Sequence, residues 1–286
     1  IGMLQPDEED LIEQAVSLAK EVDAVVMVVG TNSDWETEGN DRSTLQLPGD
    51  QDELIDRVVK ANPNTVVVVN TGSPISMPWI KDTKSILQCW FPGQEFGNAL
   101  YNILFGEVNP SGKLPTTFPK SLKDTPAFNH YPGENLQMDY LEEIFVGYRW
   151  YEKEKIKPLF PFGFGLSYTS FEYSNLRIIP PKQEDSAIAF SFKVTNTGGI
   201  RGKEATQCYV SVHNSSIERA PKELKRFSKV DLEVGETKEL TFELTERDLS
   251  YWNESVGSWA VEPAEYRIHV GGSSEETPLE ASTWLG

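Results

Sequence analysis

The sequence is short of the residues that metal sites and disulfide frameworks need. Of 286 residues, two are cysteine and three are histidine. Cys89 and Cys208 fall in different parts of the chain and read as two buried thiols rather than a bridge. His130, His213 and His269 are scattered and make no metal set. Positive charge is also scarce, with 26 Lys and Arg against 44 Asp and Glu, a net −18. Nucleic acid and anionic membrane surfaces both need positive charge on the protein, so neither is expected as a partner. No run approaches the ~20 apolar residues of a membrane span. No Gly-rich turn follows the first strand, which argues against a nucleotide site. Gly163-Phe164-Gly165 has neither a strand before it nor a Lys after it, as a phosphate loop requires. Ser73 and Ser167 lack the setting of a nucleophile elbow. The opening IGMLQPDEED has no basic or apolar region of a signal peptide. With no Met before Ile1, the expectation is a fragment or a processed chain. Asn214 and Asn253 stand in glycosylation sequons, which leaves secreted, periplasmic and cytoplasmic locations all open.

What is present divides in two. From Leu11 to Lys20 apolar residues recur at helical spacing behind an acidic first turn, Asp7 to Asp10. A continuous apolar run, Ala24–Val29, ends at Gly30 and an acidic loop. A second helix is expected over Asp50–Ala61, stopped by Asn62-Pro63-Asn64. Further apolar runs at Thr65–Val69 and Ile86–Phe91 and a helix over Gln94–Phe105 complete the alternation. Such alternation predicts a mostly parallel sheet covered on both faces, a three-layer α/β sandwich. Residues 106–165 are rich in Pro, Gly and aromatics and too apolar for disorder, and read as an ordered excursion packed on that domain. Beyond Tyr168 the period falls to two, at Ala187–Thr195, Ala205–Val212, Thr237–Leu244 and Tyr266–Val270. These alternating segments predict an antiparallel β-sandwich. The expected domains are therefore 1–165, α/β, and 166–286, all-β.

The chemistry is concentrated in Val25–Leu47. Ligands gather beyond the carboxyl ends of strands in open α/β sheets, and the loop there carries Asp34, Trp35, Glu36, Glu38, Asp41 and Arg42. Its carboxylates suit either a hard cation or acid/base work. The spacing is not that of an EF-hand, and Trp35 fits poorly inside a cation cage. The plain alternative is a solvated acidic loop. For general acid catalysis one Glu must stay protonated near neutral pH, which burial against Trp35 and a neighbouring carboxylate would favour.

Glu38-Gly39-Asn40-Asp41-Arg42, followed by Leu45 and Leu47, resembles the acid/base loop of glycoside hydrolase family 3, retaining β-glycosidases among which β-glucosidases are prominent. Trp90-Phe91-Pro92-Gly93-Gln94-Glu95, the stretch Leu104–Pro115 with Asn109-Pro110-Ser111-Gly112-Lys113-Leu114-Pro115, Val146–Tyr151 and Pro161–Thr169 resemble further motifs of that family, in order. Pro221–Phe227, Val234-Gly235-Glu236 and Tyr266–Ser273 resemble its fibronectin type III-like module. The resemblance implies a β-glucoside or oligosaccharide substrate, no cofactor and no metal. It also implies an N-terminal (β/α)8 barrel that carries the nucleophilic Asp, with this chain supplying the acid/base. Aligned on Gly39 and Asp41-Arg42, the acid/base falls on Glu38, with Glu36 as the alternative. Asp41 and Arg42 would lock the loop, and Trp35 could wall a sugar site. Ser33-Asp34-Trp35 looks like the family's nucleophile motif but stands in the wrong domain, so Asp34 is not assigned that role. Glu95 would serve a helix N-terminus. Tyr148, Arg149 and Tyr151 could approach the substrate entrance, with core packing the default. A non-catalytic carbohydrate-binding or interaction module is the rival reading. Sugar and linkage preference, compartment and oligomeric state, homo-oligomer included, stay open.

Overall fold

The computed structural model describes residues 8–39 and 41–286, with side chains from Leu11 onward. Pro6 and Asp7, before the first helix, and Asn40 of the acidic loop lie outside these residues. Helix α1 (Glu8–Glu21) leads into strand β1 (Val25–Gly30), then α2 (Gln51–Ala61), β2 (Thr65–Asn70), β3 (Ser85–Gln88) and α3 (Phe96–Leu104). The three strands form one parallel sheet in the order β1-β2-β3, with Val25 opposite Thr65 and Val66 opposite Ser85. Valine dominates β1 and β2 because its branched side chain fits a pleated, packed surface. Val67, Val68 and Val69 are fully buried in the central strand.

The apolar stripes of the first two helices are buried, Ile12, Val16 and Ala19 on α1 and Ile55, Val58 and Val59 on α2. Asn62, at the C-cap of α2, gives its amide to the carbonyls of Ala19 and Val22, both at 2.9 Å, and so ties off α1 as well. Burial of β1 alternates. Met27 and Val29 are buried, while Val26 and Val28, on the opposite face, stay 52% and 55% exposed. Covering on both faces was expected; at this edge strand only one face is covered among the described residues. Strand β3 also stops before the predicted Phe91. Cys89 still donates its N–H to Val69 O at 2.8 Å, but Trp90 takes φ 57° and turns the chain out of the sheet. Cys89 is half-buried rather than buried, whereas Cys208 is fully buried.

By contacts the chain falls into two units, Ile1–Ala99 with Phe118–Thr125, and Leu100–Thr117 with Pro126–Gly286. Much of the Pro- and Gly-rich excursion thus belongs with the second unit. There a short helix α4 (Tyr148–Lys153) precedes β4 (Phe171–Ile179), β5 (Ser186–Asn196), β6 (Gly202–His213), β7 (Glu223–Leu232) and β8 (Thr237–Thr245). A one-turn helix α5 (Glu246–Leu249), the hairpin β9 (Tyr251–Asn253) and β10 (Ser258–Ala260), then β11 (Ala264–Gly271) and β12 (Leu279–Leu285) follow. Two antiparallel sheets result, β12-β11-β6-β7 and β4-β5-β8. Inward side chains of both, among them Phe190, Phe192, Val194, Val210, Ile268 and Val270, make one core.

The excursion is held to this sandwich by its own motif residues. Asn109 Oδ1 accepts from Ser167 Oγ at 2.9 Å and Tyr168 N at 2.8 Å, and Asn109 Nδ2 donates to Arg201 O at 3.1 Å. Leu114 N donates to Phe164 O, and Gly163 N to Leu114 O, each at 2.8 Å. Gly163 has φ 82°, and a Cβ there would run into the side chain of Gln207, so the turn accepts only glycine. Lys113 pairs with the buried Glu204 at 3.1 Å, and Tyr173 OH donates to the same carboxylate at 2.7 Å.

Candidate active site

The seventeen residues between Gly30 and Pro48 leave β1 at its carboxyl end and return to α2. One side chain closes their base. Gln51 accepts from Gly30 N at 2.8 Å and donates to Gly30 O at 3.0 Å and Pro48 O at 2.9 Å. At the return, Leu47 is buried and Asp52 takes a hydrogen bond from Trp79 Nε1 at 2.7 Å. Burial raises the Asp52 carboxyl, against the hydrogen bonds from Trp79 and the Leu47 backbone.

Higher in the loop, Asn32 organises a tight turn. Its carbonyl accepts from Trp35 N at 3.1 Å and Glu36 N at 2.9 Å, and its side-chain oxygen from Asp34 N at 3.1 Å. The turn leaves Asp34 exposed and directs Glu36 inward. Glu36 Oε1 accepts from Thr31 Oγ1 at 2.5 Å and from Gly72 N at 2.9 Å. Six residues on, Arg42 Nη1 donates to Ser73 Oγ at 2.6 Å, and Ser76 N donates to Leu45 O at 2.8 Å. Burial pulls the Arg42 guanidinium below its ordinary value, and the negative charge of Glu36 opposes that pull. Both anchors are on the turn that follows β2, and the five residues from Thr37 to Asp41 lie between them.

The two candidate carboxylates therefore differ in kind. Glu36 is half-buried and engaged by two donors, whereas Glu38 is exposed and has no hydrogen bond or ion pair among the described residues. Neither Trp35 nor any other described residue buries Glu38. Trp35 is half-buried, and its indole N–H is buried without an acceptor among the described residues. Among the described residues no three His, Cys, Asp or Glu side chains gather as a metal set.

The other candidates make contacts within their own units. Glu95 directly precedes α3 and accepts from Asn98 Nδ2 at 2.6 Å. In the second unit, Tyr148 stacks on Phe162 at 5.1 Å and takes Leu224 N on its hydroxyl at 2.7 Å. Arg149 reaches Glu223 at 3.4 Å, and Tyr151 is buried. Sequence reasoning missed Thr31, Gln51, Gly72 and Ser73. The place of Gly72-Ser73 at the carboxyl end of β2 is the signal that could have found that pair.

The profile of the glycosyl hydrolase family 3 C-terminal domain matches residues 5–168, and that of the fibronectin type III-like domain residues 204–274. The thermostable β-glucosidase B of Acetivibrio thermocellus is 45% identical over 276 residues, 96% of this chain and 37% of the relative. The β-glucosidase of Kluyveromyces marxianus, in a crystal structure with glucose, superposes with a TM-score of 0.93 at 43% identity over 99% of this chain and 34% of that one. The β-glucosidase 3B of Thermotoga neapolitana, in complex with α-D-glucose, has a TM-score of 0.86 at 36% identity, over 96% of this chain and 39% of that one. This chain thus spans about a third of the length of the relatives it matches, 37%, 35% and 32% in the first three.

Proposed function

Because the chain belongs to glycosyl hydrolase family 3, we propose that it supplies the general acid/base of a retaining β-glucosidase, with Glu38 as that residue. The substrate is a terminal, non-reducing β-D-glucosyl residue. The nucleophilic carboxylate, an Asp, comes from a (β/α)8 barrel outside these 286 residues. One observation carries the choice of Glu38: it is exposed, with no hydrogen bond or ion pair among the described residues, in a loop whose other candidate is already engaged. A loop anchored at Glu36 and at Arg42 can present the exposed Glu38 side chain to a neighbouring surface.

In the first step the nucleophile attacks the anomeric carbon as the bond to the leaving oxygen breaks. Glu38, protonated, gives its proton to that oxygen. In the second step Glu38, now a carboxylate, takes a proton from water as the water displaces the enzyme carboxylate. Configuration is retained after two inversions, and Glu38 ends protonated. Retention requires the two carboxyl groups ~5–5.5 Å apart, so the Thr37–Asp41 crest must reach the barrel. Docking would also bury Glu38, raising its affinity for a proton as the acid role demands. Trp35, with an aromatic face and an indole N–H that meets no acceptor among the described residues, would wall the sugar site.

The test uses the complete protein, with Glu38→Ala assayed on an aryl β-glucoside bearing a good leaving group. Turnover is expected to fall by about 10²–10⁴-fold, the scale of a lost acid/base. Azide should restore it by forming a β-glucosyl azide. An active Glu38→Ala enzyme, or an inactive one that azide leaves unrescued, overturns the assignment.

A further inference from the structure

Glu36 stands two residues from the proposed acid/base and yet is half-buried and engaged. Its Oε1 takes the Thr31 hydroxyl at 2.5 Å and the Gly72 amide at 2.9 Å, joining the start of the loop to the turn after β2. The fit at that turn is close. A Cβ on Gly72 would strike Glu36 Oε2, and would lie 2.6 Å from Phe91 Cε2. Arg42 fastens the far shoulder to the neighbouring residue, Ser73, at 2.6 Å. The chain between the two anchors is five residues long and carries Glu38 at its second position.

A loop of seventeen residues tied only at its base would sample many crest positions, and a catalytic carboxyl needs placement within about 0.5 Å. We propose that Glu36 is a positioning residue that acts through Glu38, by clamping the loop to Gly72 while Arg42 clamps it to Ser73. The inference rests on the acid/base reading of Glu38. What Glu36 contributes is an acceptor oxygen in a fixed place, not a proton.

That distinction makes the proposal testable in the complete protein. Glu36→Gln keeps an acceptor for Thr31 and Gly72 but cannot shuttle a proton, so kcat/KM should stay within about threefold of wild type. Glu36→Ala removes the acceptor. Its kcat/KM should fall about 10–100-fold on an alkyl glucoside, whose poor leaving group needs the acid, and little on a dinitrophenyl glucoside, which does not. Azide should not rescue Glu36→Ala, and hydrogen exchange at the Gly72 amide should quicken. Thr31→Val, which keeps Glu36, should move the same readouts in the same direction by a smaller amount, and serves if Glu36→Ala does not fold. Loss of activity in Glu36→Gln equal to that in Glu36→Ala, or azide rescue of Glu36→Ala, would give Glu36 the proton-transfer role and overturn the clamp. Unchanged exchange at Gly72 in both Glu36→Ala and Thr31→Val would overturn it too. Failure of azide at Glu38→Ala, with Gly72 exchange still quickened at Glu36→Ala, would leave the clamp standing and remove only the acid/base reading.

Discussion

At Gly72 the space for a side chain is already taken by Glu36 and Phe91. Gly72→Ala must push one of them aside, and overpacking of this kind costs about 1–3 kcal/mol. The variant should melt several degrees lower and should share the leaving-group dependence of Glu36→Ala. Unchanged melting, read by circular dichroism, would show that the turn yields without strain. Here lies the difference between what was legible and what was not. Glu38-Gly39-Asn40-Asp41-Arg42 could be read because its residues are adjacent. The pairing of Glu36 with Gly72 spans 36 positions and exists only once β1 and β2 lie side by side. Which of two glutamates is free and which is held is therefore a property of the sheet.

Asp248 is a second residue with a consequence of its own. It closes a capping box with Thr245 at the start of α5, and both its oxygens are taken by the Arg226 guanidinium. Burial works against the charged form, but the bonds from Arg226 and Thr245 outweigh it and bring the carboxyl down to about 2 from an ordinary 3.8. A carboxyl lowered on folding stabilises the fold above its unfolded value and loses that contribution as pH falls through the folded one. The gap in melting temperature between wild type and Asp248→Asn should therefore be widest above pH 4 and shrink toward pH 2. A gap that stays constant from pH 5 to pH 2 would mean that the Arg226 pair adds nothing.

At the scale of elements, the alternation of β1, α2 and β2 was legible because valine runs and helical stripes have different periods. So were β5, β6, β8 and β11. Strands β4 and β12 escaped because their inward positions are only partly covered, and β7 because charged residues blur its alternation ahead of the buried Val230 and Leu232. The segment 106–165 had no period to read, and its order comes from side chains meeting backbone far away. Lys113 and Glu204 are its firmest knot, with side-chain exposures of 15% and 7%. Lys113→Met would leave Glu204 buried with only Tyr173, and breaking one partner of a buried pair costs about 3–5 kcal/mol. Adding Glu204→Gln, which keeps an acceptor for Tyr173 and removes the charge, should recover much of that loss. Denaturant unfolding of the two single variants and the double variant measures the coupling. Strict additivity would show that the pair is not a unit.

For the whole molecule, the question is how much of the chemistry these 286 residues hold. A retaining glycosidase needs two carboxyl groups close enough to act on opposite sides of one sugar bond. Glu36 is engaged by Thr31 and Gly72, so the loop is proposed to contribute one working carboxylate, Glu38, which has no hydrogen bond or ion pair among the described residues. Glu38 is also exposed, with no described residue burying it. Both deficits would be repaired by the one event proposed here, the docking of a surface that brings a nucleophile and excludes water. The chain by itself should therefore turn over no aryl β-glucoside above background, even with an excellent leaving group or with azide. It should also gain no mass from a 2-deoxy-2-fluoroglucoside, which would trap a glycosyl-enzyme. Supplying the barrel as a separate polypeptide should restore both turnover and labelling, with the added mass on the barrel. Labelling of this chain instead would place a nucleophile within it and undo the division of roles proposed for Glu38 and its partner.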